Sequence, residues 1–379
     1  MALYRIAILG SPTLAQSKAL ERYISKAAVR FRLKPGIDIE LIVNPISFRP
    51  DSKCSAAAIF FGGKRSIGID IGKVMDVSSV PILPVASRAD RVNKEIPPQL
   101  TALNCVFYKD HGSERVFASL LECLGLLPRQ RRVFLSYRRQ DATPVAIQLF
   151  AELSARHYEV FLDTHKIDVG VNFQESLWHN LCDVDVLVML DTPTYFESRW
   201  TAAEYGRALA KGIGVLRVQW PDCTPSTITG TSSLVELIPT EFEADQTLSV
   251  TALARICDNL EDFRSLAHAT RHQSIVSAVQ DAVTRVQGRV DGVDSSRAMQ
   301  VTLRSGRKVV VQPTLGVPNA VILQGVLNRA GATDSAIVFD HLGIMPSWLE
   351  HMDWLKTNVK GARWVRMTDA AWDFGGWEA

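Results

Sequence analysis

The chain has 379 residues, with 42 Lys and Arg against 40 Asp and Glu, for a formal charge of +2. That balance gives no reason to expect a polyanionic or polycationic partner. Hydrophobic residues make up 47% and charged residues 22%, which excludes disorder, collagen and a disulfide scaffold and fits a soluble globular chain of two or three domains.

The start, MALYRIAILGSP, runs straight into a strand-like segment and lacks the basic and apolar regions of a signal peptide. Tyr4–Leu9 reads as a strand ending at Gly10-Ser11-Pro12. A helix follows, with Leu14, Ala15, Leu20, Tyr23, Ile24, Ala27 and Ala28 at three- and four-residue spacing. Lys34-Pro35-Gly36 stops it. Strands are expected at Asp38–Val43, Ala56–Phe61, Pro81–Ala86 and Cys105–Tyr108, and a helix near Ser113–Leu124. Short apolar strands alternating with helices argue for a parallel, doubly wound sheet. The run Gly62-Gly63-Lys64-Arg65-Ser66 lacks the G-x-x-x-x-G-K-[ST] spacing of a P-loop and is not read as one.

A second segment begins after Pro128-Arg129-Gln130. Its expected strands are Val133–Tyr137, Tyr158–Leu162, Val184–Leu190 and Ile213–Trp220. Helices are expected at Pro144–Arg156, Phe173–Cys182 and Ser198–Lys211, the last closed by Gly212. Pro221–Ser233 reads as a loop and Thr247–Leu266 as a closing helix. The third segment opens with a helix at Ser274–Val286 and the turn-rich GRVDGVDSS. A hairpin (Gln300–Leu303, Arg307–Val311), a helix near Asn319–Arg329, a strand Ala336–Asp340, a helix near Ser347–Asn358 and a strand Arg363–Met367 complete it. Trp348, Trp354, Trp364, Trp372 and Trp377 crowd this end, as core or as a docking surface.

No run approaches the roughly 20 apolar residues of a membrane helix. The six cysteines form no C-x-x-C pair and are expected to be reduced core residues of a cytoplasmic protein. The eight histidines show no metal-binding spacing, so no metal is expected. No nucleic-acid motif is present.

The middle segment carries the chemistry. Ser136-Tyr137-Arg138-Arg139 ends a strand, where ligands of open α/β sheets bind, and paired arginines suit a pyrophosphate. Trp200 and Glu204 share a helix face at i, i+4. A flat ring can stack on a pyridinium, and a carboxylate can orient ribose hydroxyls and stabilise an oxocarbenium-like centre. Asp163 closes a strand before the loop THKIDVGVNF, a place where loops contact ligands.

Taken together, Phe134-Leu135-Ser136-Tyr137, Phe161-Leu162-Asp163 and the S-x-W-x-x-x-E helix (Ser198, Trp200, Glu204) resemble the Toll/interleukin-1 receptor (TIR) domain family, especially its bacterial members. The resemblance covers about Arg131 to Trp220, with Thr247–Leu266 as the last helix. It implies a flavodoxin-like α/β fold with a parallel sheet and, as in enzymatic members, cleavage of NAD+ to nicotinamide and linear or cyclic ADP-ribose. Glu204 is then the catalytic glutamate. Tyr137, Arg138, Arg139, Asp168 and Trp200 are expected at the NAD+ site, with NAD+ as substrate and no separate cofactor. Family loops often read L-x-x-G-[DE]-x-[FW]; here Val171 stands where the acidic residue would follow the glycine.

The expected organisation is an N-terminal α/β domain (1–127), a TIR domain (130–266) and a small Trp-rich C-terminal α/β module (272–379). The first domain is read as regulatory or sensing, and as a candidate diverged copy of the same fold. The expected role is antiphage signalling of the Thoeris type. It would involve self-assembly through TIR domains and a separate effector activated by the product, with no nucleic acid or membrane. The alternative is a non-catalytic TIR adaptor, and an ADP-ribosyl transfer activity is a third reading.

Overall fold

The computed structural model describes residues 2–51, 53–127, 130–162, 173–223, 232–331 and 333–377. The chain divides into two compact units. One comprises residues 1–127, 269–341 and 351–379; the other comprises 128–268 and 342–350.

In the first unit, strands β1 (Tyr4–Gly10), β2 (Ile39–Val43), β3 (Ser55–Phe61), β4 (Ile82–Ala86) and β5 (Val106–Phe107) form an all-parallel sheet of order β2-β1-β3-β4-β5. Residues alternate between two buried faces, as a sheet covered by helices on both sides requires. Tyr4, Ile6 and Ile8 pack against Leu20, Ile24 and Ala28 of helix Leu14–Arg30, and Ala7 and Leu9 against Phe48, Ile71 and Met75. The helix expected at 113–124 begins earlier, at Tyr108, and is kinked at Gly112.

The second unit holds β6 (Arg132–Ser136), β7 (Glu159–Leu162), β8 (Val186–Asp191), β9 (Gly214–Gln219) and β10 (Ser232–Glu236). The order is β10-β9-β8-β6-β7, again all parallel. Read from its first strand, this is the same 2-1-3-4-5 order as the first sheet and is flavodoxin-like. Val133 and Leu135 face helices Arg139–Ala155 and Val250–Arg285; Phe134 faces helices Phe173–Cys182 and Arg199–Ala210.

In the remainder of the first unit, β11 (Arg289–Val293), β12 (Met299–Thr302), β13 (Lys308–Thr314), β14 (Asp334–Phe339) and β15 (Ala362–Arg366) form a mixed sheet. Its first three strands pair antiparallel and its last three parallel. Its core is Val276, Val279 and Val283 against Val301, Val309, Val311 and Val338. Trp364 and Trp377 are buried here, whereas Trp354 and Trp372 are exposed.

Several elements differ from the sequence expectation. The helices expected at 247–266 and 274–286 are one helix, Val250–Arg285, because no Gly or Pro interrupts that stretch. Residues 250–268 of it belong to the second unit and 269–285 to the first. Strand β11 occupies the stretch read as turns, with a bulge between Val290 and Gly292 that accommodates its glycine. Strand β10 begins inside the stretch read as a loop. Helix Arg139–Ala155 starts five residues before Pro144, which therefore lies inside the helix and not at its start.

The amino edge of the second sheet is locked by buried charge. Glu261 accepts from Arg131, from the Tyr158 hydroxyl and, at 3.1 Å, from Arg264. Arg264 also donates to Asp185 at 3.0 Å, and the Arg131 guanidinium lies 4.1 Å from the Tyr158 ring centroid. Arg131, Tyr158 and Asp185 each stand just before a strand, so one helix pins three strand starts. Breaking a buried pair by removing one partner strands the other charge. Glu261→Ala is therefore expected to lower stability by about 3–5 kcal/mol, read as an earlier unfolding transition in urea; an unchanged midpoint would contradict this.

Candidate active site

In a 2-1-3-4-5 sheet, the chain leaves the first and third strands in opposite directions, opening a crevice at their carboxyl ends. In the second unit these strands are β6 and β8. Ser136 is the last residue of β6 and Asp191 the last of β8.

Ser136 is fully buried. Its Oγ lies 2.6 Å from the Tyr195 hydroxyl and donates to Glu204 Oε2. Tyr195 follows β8 in a short turn, Tyr195–Glu197, and Glu204 sits on helix Arg199–Ala210. Three elements thus converge on one carboxylate that is only 2% exposed. The Tyr195 hydroxyl also lies 3.3 Å from the Thr201 carbonyl, and Thr201 Oγ1 bonds back to the carbonyls of Tyr195 and Ser198. These bonds fix the turn against the helix start. Burial, with the Glu204 charge adding to it, pushes the Tyr195 phenol well above its ordinary range, so it stays protonated and able to donate.

A second cluster forms the rim. Arg138 donates to Glu197 Oε2 at 2.9 Å and to the Thr194 carbonyl at 3.2 Å, and lies 3.7 Å from Asp141. Asp141 accepts from Thr192 at 3.2 Å and from Thr194. Arg138 is thus held across the β6–β8 crevice by the loop after β8. Arg139 is half-buried and opens the following helix instead of extending the strand end. Tyr137 is buried among core residues, facing Val145 and Leu149.

Trp200 and Glu204 occupy the same helix face but different environments. Glu204 is buried, while Trp200 is 37% exposed, with the Arg199 guanidinium 4.5 Å from its ring centroid. Asp163 and Asp168 lie outside the described residues. Beneath the site, Arg217 and Asp191 form a buried ion pair at 2.5 Å, and burial lifts the neighbouring Cys223 thiol to about 11. All six cysteines are free, and no metal-binding group occurs among the described residues. Among those residues no helix is long and apolar enough to cross a membrane.

Sequence reasoning singled out Arg138, Trp200 and Glu204. It passed over Tyr195, Asp141, Thr192, Thr194 and the bonding role of Ser136. A serine ending a near-continuous apolar strand was the available signal, since a buried hydroxyl demands a partner.

A raised tyrosine pKa gives a signed pH test. Stability from protonated Tyr195 is fully present below the unfolded value near 10 and is lost as pH rises above it. The stability difference between wild type and Tyr195→Phe is therefore expected to be constant from about pH 6 to 9 and to shrink at higher pH. A difference that grows with alkalinity would contradict the assignment.

Comparison with known proteins agrees with the topology. Residues 133–248 match a family model described as TIR domain. No curated protein and no solved structure matches the chain. The match spans the five strands β6–β10 and the site at their carboxyl edge, and on that basis the chain contains a TIR domain at residues 133–248.

Proposed function

We propose that the TIR domain is an NAD+ glycohydrolase, with Glu204 as its catalytic carboxylate. The observation that supports this most is the convergence of Ser136, Tyr195 and Glu204 at the β6–β8 switch point. A carboxylate removed from water exerts a strong field on a cation formed beside it. In the reaction, the bond between ribose C1′ and the nicotinamide ring nitrogen breaks, and its electron pair leaves with nicotinamide. The oxocarbenium-like sugar is stabilised by Glu204. Water captures C1′ and loses a proton to give ADP-ribose; capture by the adenine of the same molecule gives a cyclic product.

Ser136 holds the carboxylate in one orientation, and Tyr195 orients Ser136. Arg139 and Arg138 stand at the mouth, where a pyrophosphate would be held, and Trp200 offers a ring for stacking. Arg138 would have to exchange Glu197 for phosphate, a trade between charge-assisted hydrogen bonds of similar strength. In this reading Asp168 also contributes to the NAD+ site. The product serves as a signal in bacterial antiphage defence, made by TIR domains that assemble and acting on a separate effector.

One observation favours the rival reading, a non-catalytic TIR interaction protein: Glu204 and Arg138 already have internal partners. Product analysis separates the two. Purified protein incubated with NAD+ is expected to release nicotinamide, with the ADP-ribose species resolved by chromatography. Removing one preorganised electrostatic group typically costs about 10²–10³-fold in turnover, and Glu204→Gln is expected to fall by that factor. Ser136→Ala, which only frees the carboxylate to rotate, is expected to lose about tenfold, the equivalent of one modest hydrogen bond. No nicotinamide from wild type over a wide range of protein concentration, or a Glu204→Gln variant as active as wild type, would leave the adaptor reading standing.

A further inference from the structure

The first unit contains a second switch-point crevice, between β1 and β3 of the sheet β2-β1-β3-β4-β5. Its rim differs in chemistry from that of the TIR domain. Strand β1 ends on a glycine, and two glycines, Gly62 and Gly63, directly follow β3. Gly10 closes β1 at φ +86°, and a Cβ there would lie 2.2 Å from the Phe61 carbonyl oxygen. A Cβ on Gly63 would lie 3.3 Å from that of Ser11. Bare backbone and a serine hydroxyl therefore line the crevice mouth. The Ser11 hydroxyl makes no hydrogen bond among the described residues.

The side of the crevice beyond β3 and β4 is basic. Ser66 N–H and Oγ both bond the Gly63 carbonyl at 3.0 Å, closing a turn with Lys64 and Arg65 at its two central positions. Both are exposed, and neither has an ion pair among the described residues. Arg88, two residues past β4, is exposed in the same way. The nearby carboxylate of Glu95 is already engaged, accepting from Ser87 N–H and Oγ at 2.7 Å each. The opposite side, beyond β1 and β2, is apolar and uncovered: Leu14 is 72% exposed, Val43 55% and Ile46 96%. Val43 pairs with Ile8 near the end of β1, so this patch adjoins the crevice.

A crevice with free cations on one side and uncovered apolar side chains on the other suits a ligand that is anionic at one end and flat and apolar at the other. We propose that the carboxyl edge of the first sheet binds a nucleoside phosphate. Its phosphates lie on Ser11, Lys64, Arg65 and Arg88, and its base lies against Leu14, Val43 and Ile46. This is not P-loop geometry. The helix start after β1 is closed by its own capping box, in which Thr13 and Gln16 satisfy each other's N–H groups, so recognition falls to the turn and the side chains.

The test is ADP binding to the full chain by equilibrium dialysis, with three variants. Wild type is expected to bind ADP saturably, with inorganic phosphate competing and adenosine binding more weakly. Lys64→Glu with Arg65→Glu, at exposed positions that leave thermal unfolding unchanged, is expected to weaken ADP at least about tenfold. Leu14→Ser with Ile46→Ser is expected to weaken ADP but leave phosphate competition intact. Arg138→Gln with Arg139→Gln, which removes the cations proposed to hold a pyrophosphate in the TIR domain, is expected to bind ADP at the first sheet like wild type. The proposal is overturned if millimolar ADP does not bind, or if the Lys64/Arg65 variant binds it as wild type does. It is equally overturned if the Arg138/Arg139 variant is the one that loses ADP, because the ligand would then sit in the TIR domain. None of these outcomes depends on NAD+ turnover.

Discussion

A carboxylate that leaves water must find donors, and Glu204 finds its donor in Ser136. That requirement organises the TIR domain's carboxyl edge. The serine must end the central strand, and the tyrosine that orients it must come from the loop after the neighbouring strand. The helix carrying the glutamate must begin directly behind that loop, which is why Thr201 ties the turn to the helix. A shift of any of the three would leave a buried charge or hydroxyl unpaired. Such a defect costs roughly 1–3 kcal/mol, and more where charge is involved.

The opposite edge of the same sheet resolves its buried charge differently. Arg131, Arg264, Glu261 and Asp185 satisfy one another before the strands begin. Each of the four has at least one ion-pair partner within the cluster. At the carboxyl edge the Arg138–Glu197 pair is partly exposed, and so is Trp200. The two sheets of order 2-1-3-4-5 carry the contrast further. One crevice is built around a buried acid, the other is rimmed by bases that have no ion pair among the described residues and by exposed apolar side chains. The same backbone topology thus carries two differently charged carboxyl edges, because the residues at and after the strand ends differ.

Much of this was legible in the sequence. Near-continuous apolar runs such as Val184–Leu190 announce strands buried on both faces, here Val186–Asp191, and the expected helix Phe173–Cys182 is found with those bounds. The motif residues Ser136, Trp200 and Glu204 lie where their family resemblance implied, on a strand end and a helix start. What was not legible depends on long-range partners. Strand β10 is specified by pairing with β9 more than by its own composition, and β11 needs a bulge to hold Gly292. The unbroken helix Val250–Arg285 hides its extent because its two halves serve different cores, so its apolar stripe changes phase. Tyr195 carries no local signal that its hydroxyl meets a serine 59 positions earlier.

The central claim is that NAD+ reacts beside Glu204 at the β6–β8 switch point. A crystal structure of the full-length Glu204→Gln variant with NAD+ tests it most directly. The account predicts the nicotinamide ribose within hydrogen-bonding reach of residue 204, and the pyrophosphate against Arg138 or Arg139. NAD+ bound at any other place on the chain, with the β6–β8 crevice closed by the Arg138–Glu197 pair, would contradict it.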